Sequence, residues 1–291
     1  MVAFKERLAS GAFSFVVELQ PPKGIDLSDF LEQAKGLKNY VEAIYVPDLP
    51  NGVMTLGSIA TCAKLKEAGV ETIFELSCSH RNRLALQSEL LGASLLGLEN
   101  AFLRQGESPA IGDHYEAKPV FDLDGIGLLE VAKGLEEGHD LMGNALKGKP
   151  RFFVGSPIEI RSEPKDFDRE LREMERKIGL GAKFFVTTVI YDPRLFEAFV
   201  KRAASLHVPV LASLPLLKSA GMARYMSKHV EGALIPEAVI ERLMKAPDKQ
   251  KASVEIARET IRELRALCQG IRLIPMGWES LIPLVLDKGG L

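Results

Sequence analysis

Residues 168–188 read DRELREMERKIGLGAKFFVTT, and the two halves of this stretch follow different periods. In the first half Leu171, Met174 and Ile178 fall three and four positions apart with charges between them, the pattern of a helix with one apolar face. Gly181 comes next, and glycine readily adopts the left-handed conformation in which many helices end. In the second half, residues 183–188 (KFFVTT), aromatic and β-branched residues stand on successive positions, as in a strand covered on both faces. A helix that passes through a glycine cap into a buried strand is one half of a βαβ unit, so the fold depends on how often the pattern recurs.

It recurs along the whole chain. Strand-like runs occur at 13–18 (FSFVVE), 42–46 (EAIYV), 70–76 (VETIFEL), 98–103 (LENAFL), 151–156 (RFFVGS), 183–188, 208–213 (VPVLAS) and 271–276 (IRLIPM). Helical spacing fills the intervals. Leu27, Phe30, Leu31, Ala34 and Leu37 share a face in 27–38, and Leu84, Leu86, Leu90, Leu91, Leu95 and Leu96 are similarly dense in 83–96. Gly69 closes another helix as Gly181 does. Eight strands alternating with helices predict an α/β protein, a single (β/α)8 TIM barrel over 1–291, rather than an open sheet. The intervals between the fourth and fifth runs and between the seventh and eighth are long. Neither is of low complexity or linker-like, and both read as extra helices and a long loop on the same barrel.

Composition narrows the function. Hydrophobic residues make up 46% and charged residues 26%, enough for a large core. The formal net charge is −2 with the signs intermixed, so no basic stripe invites nucleic acid. No run reaches the roughly 18 apolar residues of a membrane span. The N-terminal MVAFKERLASGAFSF lacks the apolar core of a signal peptide. A cytoplasmic enzyme or binding protein is expected. The three cysteines are widely spaced with no C-x-x-C, which argues against a disulfide framework or a self-contained zinc site.

In a barrel of this kind the chemistry sits at the C-terminal ends of the strands. The first strand ends in Glu18-Leu19-Gln20 and runs into Pro21 and Pro22, whose rings fix φ and make a rigid exit. The later strands end in Pro47-Asp48, Glu75-Leu76-Ser77-Cys78, Arg104-Gln105-Gly106-Glu107, Gly155-Ser156-Pro157, Thr187-Thr188, Ser213-Leu214-Pro215 and Met276-Gly277. This set has no histidine–carboxylate spacing for a metal, no lysine for a Schiff base, and neither G-x-G-x-x-G nor a Walker pattern. Acids and hydrogen-bond donors suit an organic cofactor and a proton-transfer step. The residues by themselves leave the reaction open.

Seven segments, in order, resemble the methylenetetrahydrofolate reductase family: VELQPP, FLRQGESP, GDHYEAKPVFDLDG, LREMERKIGLGAKFFVTTVIYD, ASLPLL, LIPEAVIERL and GIRLIPMGWE. The resemblance implies a barrel with FAD across its C-terminal face. It also implies hydride transfer to the methylene carbon of 5,10-methylenetetrahydrofolate, giving 5-methyltetrahydrofolate. Glu18 matches the family's catalytic acid, which protonates N10 of the folate. Glu107 matches an acid beside flavin and pterin that is usually Asp, and Gln105 is inserted ahead of Gly106. Thr188 matches a folate-contacting Gln that follows the equivalent of Thr187. Glu75 stands where a flavin-contacting His is common, and Ser156 where a Tyr is common. Arg176 and Lys177 fall where basic residues face the FAD diphosphate, or else belong to a charged helix face held by i,i+4 pairs. Thr55 is either a phosphate or ribose contact or a helix N-cap, and Asp122 falls in the adenosine-side region. The short form resembles reductases of anaerobes, which implies NADH or an iron–sulfur or zinc partner protein as electron donor. Assembly into a homo- or hetero-oligomer stays open. The departures at Glu75, Glu107, Ser156 and Thr188 leave a second reading, a catalytically degenerate flavin-binding paralogue that serves as a subunit of a redox or methyl-transfer complex.

Overall fold

The computed structural model describes residues 3–160, 166–230 and 232–287. Eight parallel strands pair in sequence order, β1 (Ser14–Glu18), β2 (Ala43–Val46), β3 (Thr72–Ser77), β4 (Asn100–Arg104), β5 (Phe153–Ile158), β6 (Ala182–Val189), β7 (Val210–Pro215) and β8 (Gly270–Ile274). β8 pairs back onto β1, with Val16 opposite Arg272, and closes a barrel. Helices α1 (Phe4–Ala9), α2 (Ser28–Leu37), α3 (Ser58–Glu67), α4 (Arg83–Leu95), α5 (Gly125–Glu137), α6 (Phe167–Gly179), α7 (Pro193–Ala203), α8 (Ala220–His229), α9 (Glu237–Lys245), α10 (Lys249–Leu264) and α11 (Ile282–Val285) complete the chain. The long β7–β8 connection holds α8, α9 and α10, whereas the β4–β5 connection carries the single helix α5 after a long loop.

The strands are apolar on both faces because each face meets a different core. Outward residues such as Val17, Ile44, Phe74 and Phe185 pack under the helices. Inward residues Val16, Ala43, Tyr45, Ile73, Phe102, Phe184, Val186 and Leu211 fill the barrel with Phe4 and Leu8 of α1. The Phe184 ring stacks on Phe153, with centroids 5.3 Å apart, and meets Phe4 edge-on at 5.5 Å. Gly155 makes room for it, since a Cβ there would lie 2.2 Å from the Phe184 ring. Helix α1, absent from the expected elements, therefore plugs the N-terminal end of the barrel. Its six residues, FKERLA, are too few to show a periodicity of their own.

At the other end the strand-to-helix turns are fixed by caps. Asn82, Asp124, Asp192 and Ser219 accept hydrogen bonds from the first amides of α4, α5, α7 and α8. No helix among the described residues is long and apolar enough to cross a membrane. If α1 is the plug of the barrel, Phe4→Ala should destabilise the fold by about 3–5 kcal/mol through the cavity it leaves. Urea unfolding checks this, and a loss below about 1 kcal/mol would show that the barrel closes without α1.

Candidate active site at the C-terminal face

The upper layer of the barrel is charged. Moving around β8, β1, β2, β3 and β4, the inward side chains are Arg272, Glu18, Tyr45, Glu75 and Arg104. Arg272 Nη1 lies 3.9 Å from Glu18 Oε2, and its guanidinium sits over the Tyr45 ring, 4.8 Å from the centroid. The Tyr45 hydroxyl donates to Glu75, whose carboxylate stands 3.7 Å from Arg104 Nη1. Arg104 reaches on to pair with Glu107. Arg272, Glu18, Glu75, Arg104 and Glu107 line a cavity of about 410 Å³ between the β2–α3 and β4–α5 loops.

Those loops are built to meet. Gly52 and Gly112 touch backbone to backbone, and a Cβ on Gly112 would fall 1.9 Å from the Gly52 carbonyl oxygen. Asp113 pairs with Lys23 and accepts from the Met54 amide at 3.0 Å, which ties both loops to the exit of β1. Beneath them Asp48 is wholly buried. It accepts from Arg81 Nη1 and Nη2 at 2.6 and 3.1 Å and from the Ser77 amide and hydroxyl at 3.1 Å. His80 Nε2 lies 3.2 Å from the same carboxylate. Burial opposes charge on Asp48, yet His80 and Arg81 outweigh it and hold the carboxyl below its ordinary value.

Glu18 and Glu75 differ from Asp48 in this respect. Burial raises the Glu18 carboxyl above its ordinary value, opposed by Arg272 and Arg104. Burial pushes Glu75 up to about 7, opposed by Arg104 and the Tyr45 hydrogen bond. Burial alone would lower the Arg104 guanidinium, but Glu75 and Glu107 hold it above its ordinary value. The cavity thus holds two acids that keep a proton more readily than free carboxyls do. Among the described residues no group of acids, histidines and cysteines could hold a metal ion.

A second cavity, of about 450 Å³, adjoins the first at Arg104 and is lined by Gln105, Gly125, Ser156, Glu159, Arg169, Glu170, Glu173, Arg176 and Lys177. Lys177 donates to the Pro157 carbonyl at 2.8 Å. Burial lowers its ammonium, against the pull of Glu170, Glu173 and Glu159.

The family model described as methylenetetrahydrofolate reductase matches residues 3–290. The chain belongs to the methylenetetrahydrofolate reductase family. Methylenetetrahydrofolate reductase 2 of Schizosaccharomyces pombe is 22% identical over 236 residues, covering 76% of this chain and 36% of that protein. The probable methylenetetrahydrofolate reductase (NADPH) of Caenorhabditis elegans is 23% identical over 294 residues, covering 95% of this chain and 42% of that one. The chain thus spans less than half the length of these relatives. Among solved structures, an uncharacterized Clostridium thermocellum protein that binds two copies of 5-methyl-5,6,7,8-tetrahydrofolic acid superposes with a TM-score of 0.68 at 15% identity, covering 97% of this chain and 98% of that one. The EDTA monooxygenase of Chelativorans sp. BNC1 gives 0.55 at 12%, with 96% and 94% covered. At these identities the structural likeness speaks for the barrel alone.

The site residues expected from the methylenetetrahydrofolate reductase resemblance fall into three groups. Glu18, Glu75, Gly106 and Glu107 line the first cavity, and Gln105, Ser156, Arg176 and Lys177 the second. The remaining four line neither. Asp122 is engaged by Arg83 at 2.9 Å, ahead of the α5 cap at Asp124. Thr55 precedes α3 without capping it, and its hydroxyl is buried with no hydrogen-bond partner. Thr187 accepts from the Ser213 amide at 3.1 Å, and Thr188 donates to the Gly232 carbonyl at 2.8 Å. Asp48, Arg104 and Arg272 line the first cavity, with Tyr45 joining Glu75 and Arg272 beside it, and none of the four was among the site residues expected from the resemblance, although Asp48 and Arg104 stood among the strand ends. For Arg272 a signal existed, a lone cation inside the apolar run IRLI.

Glu75 carries a stability signature. Its carboxyl titrates near 7 in the fold against an ordinary 4.5, so the folded state binds the proton more tightly than the unfolded one. Its contribution is fully present below about pH 4.5 and is lost as pH rises through about 7. Urea titrations from acid to neutral pH should show wild-type stability falling across this window and Glu75→Gln flattening the fall. A variant with the same slope as wild type would place the proton elsewhere.

Proposed function

We propose that this chain catalyses the FAD-dependent reduction of 5,10-methylenetetrahydrofolate to 5-methyltetrahydrofolate. The observation that carries this reading is Glu18: a carboxyl whose proton affinity is raised by burial, inward-facing at the end of β1, with its side chain only 11% exposed, in the cavity of a barrel of this family.

The residues present fit the cofactor. Two abutting cavities of about 410 and 450 Å³ suit an extended ligand with a flat ring at one end and a charged middle. Gln105, Ser156, Arg176 and Lys177 would hold its diphosphate side, while Glu75, Gly106 and Glu107 would border the ring. When bound, FAD supplies the hydride that the methylene carbon receives. The chain supplies the proton. Glu18 gives it to N10, the bond from N10 to the methylene carbon breaks, and the carbon becomes electrophilic through N5. Desolvation raises the proton affinity of Glu18 before the step, and Arg272 and Arg104 stabilise the carboxylate it becomes. The β2–α3 loop, braced at Gly52 by Gly112, forms one side of the cavity.

Electrons come to the cofactor from NADH or from an iron–sulfur or zinc partner protein, and a cytoplasmic setting goes with this reading. A second reading has support from Thr187 and Thr188, whose hydroxyls are engaged by backbone groups: the chain binds flavin as a subunit and does not turn over folate.

One anaerobic experiment separates them. Chemically reduced holoprotein is mixed with methylenetetrahydrofolate and the flavin absorbance is followed. Reoxidation should occur, should slow as pH rises and Glu18 loses its proton, and should fall by about 10²–10⁴-fold in Glu18→Gln. A flavin that stays reduced selects the subunit reading. Cofactor placement has its own check: Lys177→Met should purify with markedly less flavin per chain than wild type, and equal loading would remove Lys177 from the cofactor site.

A further inference from the structure

Arg272 is an anomaly among the cations of the barrel mouth. Arg104 is bracketed by Glu75 and Glu107, and Arg81 grips Asp48 with two nitrogens. Arg272 donates no hydrogen bond to any described residue. Its nearest carboxylate, Glu18, is 3.9 Å away, its Nε is buried without a partner, and its side chain is only 16% exposed. Below it lies the face of Tyr45, which attracts the charge but accepts no N–H bond of ordinary geometry. A guanidinium has five donors in a planar fork. Leaving them unmatched in a mostly buried position is costly, and such groups call for an explanation. The remaining direction is the cavity, which Arg272 lines together with Glu18, Ile274 and Met276.

We propose that Arg272 is a substrate-binding and specificity-determining residue that grips an sp² oxygen, a carbonyl or carboxylate, of the molecule on which Glu18 acts. The identity of that molecule rests on the folate reading; the role of the fork does not. The distance to Glu18 places the gripped oxygen within a few bonds of the protonated atom, since Arg272 and Glu18 stand side by side on β8 and β1. A folate offers the pterin carbonyl within that reach of N10, and the benzoyl amide carbonyl and glutamate carboxylates farther along its tail. Because the contact is two-pronged and planar, lysine cannot reproduce it.

The test compares wild type, Arg272→Lys and Arg272→Met, each checked by circular dichroism and thermal midpoint. Titrations use 5-methyltetrahydrofolate, the corresponding tetrahydropterin without the aminobenzoylglutamate tail, and oxalate as a small carboxylate probe. Arg272→Met should bind 5-methyltetrahydrofolate about 10–100-fold more weakly, the scale of hydrogen bonds to a charged group, and Arg272→Lys should not recover the loss. An equal loss for the tailless pterin assigns the oxygen to the pterin carbonyl; a loss confined to the full ligand assigns it to the aminobenzoylglutamate tail. Affinity within threefold of wild type in Arg272→Met, or full recovery by lysine, overturns the proposal while leaving the folate reading in place. Wild type that ignores both folates but binds oxalate in an Arg272-dependent way retains the proposal and removes the folate reading. No binding of any probe overturns both. Wild-type protein alone gives an independent readout if the variants misfold. Phenylglyoxal labelling mapped by mass spectrometry should modify Arg272 in free protein and spare it under saturating ligand, and equal labelling counts against the proposal.

Discussion

Two carboxyls and two guanidiniums share one layer of the barrel, and Tyr45 sits between them. No member of this layer is stable alone. Glu18 or Glu75 without its arginine would be a buried charge that escapes by taking a proton. Either arginine without its carboxylate would be a buried cation. With Glu107 the layer holds three acids against two arginines, so full ionisation leaves it negative. Burial offsets the excess by raising the proton affinity of Glu18 and Glu75. The chemistry assigned to Glu18 is thus a consequence of how charge is shared across five strands.

The fold was legible because it is written in periods. The strand runs read from the sequence coincide with β1–β8 to within a few residues, as does the helix read at 168–180 with α6, followed by the left-handed Gly181. Those signals are local and repeated. Helix α1 was not legible, because Phe4 and Leu8 do their work against Phe153 and Phe184, far away in sequence.

The site was legible only where position on a strand end was enough. Glu18, Glu75 and Glu107 follow from the barrel rule together with the family resemblance. Arg272 does not, because it lies one residue inside β8 from the Leu273-Ile274 end, where the rule does not look. Asp48 was seen as a strand end, but its meaning comes from Arg81 and His80 on the next loop. Thr188 shows the converse: the correct strand end, yet a hydroxyl turned to the Gly232 carbonyl. Which partner a polar side chain finds is a three-dimensional fact that spacing cannot encode.

Arg104 is where these threads meet. It borders both cavities and pairs with Glu75 in one and with Glu107 at the rim. Protonating Glu75 removes one of the two charges that hold it, and Glu107 then retains it unopposed. A proton gained in the first cavity is therefore felt as a change of field at the wall of the second. The reach of Glu107 matters for the same reason. The glutamate side chain engages Arg104 from a residue three positions on. In this chain the buried Glu75 and the shared Arg104 are electrostatically coupled, so a charge placed by a ligand beside Arg104 in either cavity acts on the proton affinity of Glu75.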